Sequence, residues 1–240
     1  MLEIFLSSLP SFATLAIVAP LAFLYTAVVA TLVGYLRLIQ GVRTAYTRKI
    51  FHFSIFTAAT IVHLLWHLPG VTVLGVVVTS FVVYAVVRGD GFPLYEALAR
   101  PTDAPHRTLF VAVPLLTTML GGIATNIFFP ATAYIGYLVC GWGDAVGEPV
   151  GSRWGRHTYR VPSLSGVPAT RSVEGSGAVF IVGWLAAGIG LYASHATPQH
   201  SLLVGLAAGL AGALVESVSN HGLDNFTTQV AAAATAFFLR

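Results

Sequence analysis

Five acids stand out in this chain because of where they fall: Asp144, Glu148, Glu174, Glu216 and Asp224. Each lies at the polar edge of an apolar run, and the five come from distant parts of the sequence. Asp144 and Glu148 are four apart in GWGDAVGEPVGSRWGRH, so one helical turn puts both carboxylates on one face. Like charges at that spacing repel unless a cation lies between them. Pro149 removes a backbone donor and disfavours helix at Glu148, so the helix is expected to loosen there. Glu174, in RSVEGS, sits just inside an apolar run, where an acid is costly unless paired or bound to a metal. In ESVSNHGLDNF, Glu216 ends an Ala/Gly-rich run, Gly222 reads as a terminator, and Asp224 could cap the next helix with Asn225 beside it.

Basic residues accompany these acids. Arg153, Arg156, His157 and Arg160 follow the first pair, and Arg171 and Ser172 precede Glu174 as a phosphate contact and a helix cap. Gly143, Gly147, Gly151 and Gly155 recur every four residues. Close helix packing explains the glycines before Pro149. Backbone approach to phosphates is the reading for Gly151 and Gly155. RKIFHF places Arg48 and Lys49 about one turn before His52. Snorkelling at an interface alone would account for Arg48 and Lys49, but His52 is a less routine choice there. Hard oxygen donors with phosphate-binding Arg and Lys point to Mg²⁺ and a nucleotide or pyrophosphate. Asp144, Glu148, Glu174 and Asp224 are the candidate metal ligands. No Walker A sequence and no kinase-type glycine loop with a catalytic HRD is present.

These groups must be positioned by apolar elements. The chain is 56% hydrophobic and 9% charged, with a mean hydropathy of +0.80; a soluble domain carries about 25% charge. The expected fold is an all-α, polytopic membrane bundle of about eight spans (seven to nine), because backbone groups in lipid must bond within their own segment. The spans read as about 11–36, 50–67, 70–87, 108–126, 129–147, 173–194, 200–219 and 224–239. One domain covers 1–240, with internal loops at about 37–49, 88–107, 148–172 and 220–223. On this reading eleven of the twelve Lys+Arg, all but Arg240, and eight of the nine acids, all but Glu3, share one face. Basic residues collect in cytoplasmic connections, so that face is expected to be the cytoplasm and the N-terminus to lie outside. Loop 88–107 reads as a solvated connection or a gate for substrate. The net charge of +3 is met by membrane and phosphate, without nucleic acid. Cys140 is the sole cysteine, so no intrachain disulfide forms.

RKIFHF at 48–53, GDAVGEPVGSRWGRH at 143–157, RSVEGS at 171–176, and ES with DNFT at 216–217 and 224–227 resemble, in order and spacing, the dolichol kinase/phytol kinase family. That resemblance covers about two-thirds of the chain and implies transfer of the γ-phosphate of CTP to a long-chain isoprenoid alcohol. Catalysis would fall to Asp144, Glu148, Glu174, Glu216, Asp224 and His52. CTP would be held by Arg48, Lys49, Gly151, Arg153, Gly155, Arg156, Arg171, Ser172 and Asn225. The partners implied are CTP, a lipid alcohol and the bilayer. Phosphatidate cytidylyltransferases show a related series, but this chain has DNFT where they carry an Asp-Arg-x-Asp element. It also has Arg171 where both families usually have Lys. Cytidylyl transfer to phosphatidate is therefore the alternative reading. A cation transporter is a remote one, since transport sites sit near the midplane.

Overall fold

The computed structural model describes residues 8–164 and 167–240; Glu3 and residues 165–166 of the 148–172 loop lie outside them. Among the described residues the regular backbone is nearly all helical. Helix α1 spans Phe12–Leu38, α2 Thr44–Arg88, α3 Pro93–Leu98, α4 Leu109–Phe128, α5 Ala133–Leu138, α6 Asp144–Trp154, α7 Val173–Ala193, α8 Pro198–Val218 and α9 Asp224–Leu239. A π-helical turn, Val139–Gly143, joins α5 to α6. Strands β1, Thr158–Val161, and β2, Ala169–Ser172, pair antiparallel between α6 and α7. Helices α1, α2, α4, α7 and α8 are long and apolar enough to cross a membrane. That is the architecture of a multi-pass membrane protein.

The expected segments map onto these elements with several differences. Spans 50–67 and 70–87 merge into α2, broken at His67, whose φ of 51° lies in the left-handed region. Pro69 removes a backbone donor and crowds the preceding turn, so the helix cannot run straight through. A second difference is the β-hairpin inside the loop expected at 148–172. The span expected at 129–147 is divided into α5, the π turn and α6, which runs on to Trp154, and α9, with 16 residues, is not among the helices long and apolar enough to cross.

The chain divides into two compact units, one ending at Leu115 and one starting at Leu116. In the first, α1 buries Ala22, Val29, Ala30 and Val33 along one stripe, against Leu74, Val78 and Val82 of α2. Leu21, Phe23, Leu24, Val28 and Leu32 of α1 remain exposed. A helix apolar all round suits lipid on one side and protein on the other. Short α3 packs Leu94, Tyr95 and Leu98 into the same core. Gly34 permits this approach, since a Cβ there would lie 2.7 Å from Pro93 Cβ. Thr44 and Thr47 Oγ1 donate to the carbonyls of Glu96 and Ala97.

In the second unit, α7 and α8 meet backbone to backbone. A Cβ on Gly209 would sit 2.5 Å from the Trp184 nitrogen, so only glycine allows this distance. Val139 of the π turn fits the notch between Gly183 and Gly212. Gln229 of α9 is fully buried, its amide donating to the Asn225 carbonyl at 2.5 Å. The connection between α8 and α9 is held at two points. Thr117 Oγ1 donates to the Gly222 carbonyl at 2.8 Å. The His221 N–H donates to the Pro162 carbonyl at 2.8 Å, which ties the hairpin to this connection.

Candidate active site

Three of the five acids come together. Asp144 opens α6 directly after the π turn, Glu216 lies in the last turn of α8, and Asp224 opens α9. One oxygen from each of these carboxylates falls within 4.8 Å of the others. Asp144 and Glu216 are buried, at 9% and 6% exposure. At an effective dielectric of about 20, two carboxylates this close repel by roughly 3 kcal/mol. Such a trio needs a cation.

Arg171 of β2 supplies one. Its Nε lies 3.1 Å from Glu216 Oε1 and its Nη2 2.8 Å from Asp224 Oδ2. The hairpin makes this reach possible by pairing Arg171 with Tyr159, which fixes its backbone. Ser172, the next residue, caps α7 by accepting from the Gly175 N–H at 3.1 Å. Ser172 thus fills its expected role as a cap, whereas Asp224 does not: Leu223 holds the cap position of α9, no side chain caps that helix, and the Asp224 carboxylate accepts from the adjacent Asn225 N–H at 3.1 Å. The ion pairs of Arg171 were not legible in the sequence, because they join residues 45 and 53 positions apart through a hairpin that no pattern announced.

The remaining acids are placed differently. Glu174 lies on the first turn of α7 and accepts from the His157 backbone N–H, at 3.3 Å to each oxygen. His157 Nδ1 is 2.7 Å from Glu174 Oε1, which requires the ring proton on Nδ1 if the carboxylate is ionised. Glu174 therefore fastens the start of the hairpin to α7 and is not one of the clustered trio. Glu148 is half-buried one turn after Asp144.

The helix does not loosen at Pro149. Helix α6 runs through it from Asp144 to Trp154, and the irregular backbone lies one turn earlier, in Val139–Gly143. Proline cost is offset here because close packing holds the helix on both sides. A Cβ on Gly147 would meet Val179 Cγ2 at 2.6 Å, and one on Gly151 would meet Ser172 Oγ at 2.9 Å. Gly155 is closer still, 2.7 Å from the same oxygen. Packing against α7 and its cap thus accounts for the glycines after Pro149 as well as before it. Asn225 is likewise engaged in packing: its side-chain amide donates to Thr118 Oγ1 at 2.8 Å.

Arg153, in the last turn of α6, and Arg156, just beyond it, are exposed, with the Arg153 guanidinium 5.2 Å from the centre of the Trp154 ring. Arg48, Lys49 and His52 belong to the first unit, on the opening turns of α2. Lys49 is buried there at 7% exposure, and the His52 ring packs on Phe56 at 4.5 Å. In the same unit loop 88–107 is a tied structure. Arg107 reaches Asp90 at 2.6 Å and Glu96 at 2.8 Å, donates to the Ala99 carbonyl, and lies 5.2 Å from the Tyr95 ring centre. Burial disfavours charge on Glu96, but the Gly91 N–H and Arg107 outweigh it and hold its carboxyl below the ordinary value.

Three clustered carboxylates are a donor set of hard oxygens, which fits Mg²⁺ or a similar divalent ion. Arg171 adds a planar fork suited to phosphate oxygens. No family model matches the chain, and no solved structure matches it. Among curated proteins it is homologous to the phytol kinase of Synechocystis sp., with 29% identity over 191 residues, 80% of this chain and 78% of that protein.

Proposed function

We propose that this chain is a CTP-dependent lipid-alcohol kinase, moving the γ-phosphate of CTP onto the hydroxyl of a membrane isoprenoid alcohol of the polyprenol, dolichol or phytol type. What carries the reading is the trio Asp144, Glu216 and Asp224 beside Arg171, in a chain homologous to a phytol kinase. The resemblance set out above supplies CTP as the donor, and the distribution of Lys and Arg supports the cytoplasmic face as its place.

Phosphoryl transfer needs positioning and charge neutralisation more than covalent help. Asp144, Glu216 and Asp224 would hold Mg²⁺, which when bound neutralises charge on the phosphate oxygens. Arg171 is the side chain beside the trio that can bind a phosphate oxygen. The alcohol's tail lies in lipid with its hydroxyl at the interface. Its oxygen forms the new bond to the γ-phosphorus, the bond from that phosphorus to CDP breaks, and the hydroxyl proton passes to a carboxylate. Asp144 and Glu216, with Glu148 one turn from Asp144, are the candidate acids for this proton. Lys49, Arg48, His52, Arg153 and Arg156 stand as further nucleotide-binding candidates on their residue types.

The test uses purified protein in detergent with Mg²⁺, a mixture of isoprenoid alcohols and phosphatidate, and CTP labelled at either the α- or the γ-phosphate. Label entering lipid from the γ position alone is the expected result, and the labelled lipid names the alcohol. Label from the α position, with release of pyrophosphate, would replace this reading with cytidylyl transfer to phosphatidate. Ion flux in liposomes without CTP would favour a transporter.

A further inference from the structure

The Arg171 guanidinium and a divalent cation compete for the same carboxylates. Its Nε and Nη2 bind Glu216 Oε1 at 3.1 Å and Asp224 Oδ2 at 2.8 Å, and these acids are two of the three in the trio. The side chains concerned are almost withdrawn from solvent, at 11% exposure for Arg171, 8% for Glu216 and 12% for Asp224. Screening by water is therefore weak, and a second cation on these oxygens would be strongly repelled by the first. The Arg171 Nη1 is buried with no hydrogen-bond partner among the described residues, so the fork has donor capacity that the two acids do not use. The backbone of Arg171 is fixed by its pairing with Tyr159, which leaves the side chain as the part that can move.

We propose that Arg171 is the resident counter-ion of the trio: it balances Glu216 and Asp224 when no metal is bound, and releases at least one of them when a divalent cation enters. This rests on the reading of the trio as a cation site. A guanidinium set free beside the bound cation is then available to a phosphate oxygen, the group it binds best. Metal alone binds weakly, because it must displace Arg171. Metal with nucleotide binds well, because the displaced group gains a new partner. The two ligands are thereby coupled through one side chain, and by linkage each raises the affinity of the other by the same factor.

The experiment measures Mn²⁺ binding to the purified full chain in detergent, by the electron paramagnetic resonance of free Mn²⁺, with no alcohol present and with or without CDP. Arg171→Met removes the charge and the donors at similar length. Without nucleotide it is expected to bind Mn²⁺ at least about fivefold more tightly than the wild type, the low end of ordinary coupling between sites. CDP is expected to tighten Mn²⁺ binding in the wild type and to do so less in Arg171→Met. Arg171→Lys, which keeps one point charge, is expected to fall between them, and it carries the test if the Met variant does not fold. A residue that merely scaffolds the acids gives the opposite sign, so equal or weaker Mn²⁺ binding in a folded variant overturns the exchange. Equal binding in all proteins would overturn the exchange alone. No Mn²⁺ binding by any of them would overturn the cation reading and this inference with it.

Discussion

At the residue scale the site poses a question of charge. Asp144 and Glu216 both belong to the trio, yet Glu216 has a bond to Arg171 in addition. Asp144→Asn removes one anionic oxygen donor from the trio. Its turnover should fall on the order of 100-fold or more, as expected when a metal's surroundings are altered. Glu216→Gln should also lose turnover, but it breaks a charged hydrogen bond in a buried place and should cost about 1.5–3 kcal/mol of stability. Thermal melts in a chelator, set beside the labelled-CTP assay, check both. If Asp144→Asn keeps full activity, that residue has no metal role. The acids themselves were legible in the sequence, because carboxylates at the ends of apolar runs need a reason. Which three would meet was not. Glu174 has the same sequence context as the others, but His157 claims it through contacts that only the hairpin creates.

Elements decide how firmly these side chains are held. The expected terminator Gly222 does mark a turn, its φ being 98°, and Gly/Ala-rich α8 packs tightly on α7. The expected break at Pro149 is displaced to the π turn, since periodicity carries no signal for an extra residue in a helix. Gly209→Ala tests the α7–α8 contact. Its Cβ would come within 2.7 Å of Trp184 backbone atoms, which cannot yield as a flexible side chain does. Overpacking of this kind costs about 1–3 kcal/mol, and a melting temperature equal to that of the wild type would show that the helices separate freely. The loop around α3 gives a pH-dependent prediction. Glu96 is held below its ordinary pKa, so its contribution to stability is complete above the unfolded value of about 4.3 and is lost as pH falls through the lower folded value. Melting curves from pH 7 down to pH 3 should show an acid-side loss that Glu96→Gln lacks, having given up the same interaction at every pH. A Glu96→Gln curve parallel to the wild type would mean that Arg107 and Gly91 do not favour the charged carboxyl.

For the whole molecule the open quantity is sidedness, and the second unit gives it a definite form. Helix α7 has 21 residues, and α8 has 21. At 1.5 Å per residue each is about 31 Å long, the thickness of a hydrocarbon core. The hairpin and the acid trio lie at the end where α7 starts and α8 stops, while the connection from Ser194 to Thr197 lies at the other end. A membrane holding these helices must therefore put Ser152 and Gln199, both exposed, on opposite sides. From the distribution of Lys and Arg we propose that the Ser152 side is the cytoplasm. Cys140 is fully buried, so introduced cysteines can be read against it. Ser152→Cys and Asp90→Cys should react with an impermeant maleimide in inverted vesicles, and Gln199→Cys only in right-side-out ones. Labelling of Ser152→Cys and Gln199→Cys from one side would mean that α7 and α8 do not span. Reversal of all three would place the trio outside the cell. It would then lie away from cytoplasmic CTP, and the kinase reading would lose the compartment that its co-substrate requires.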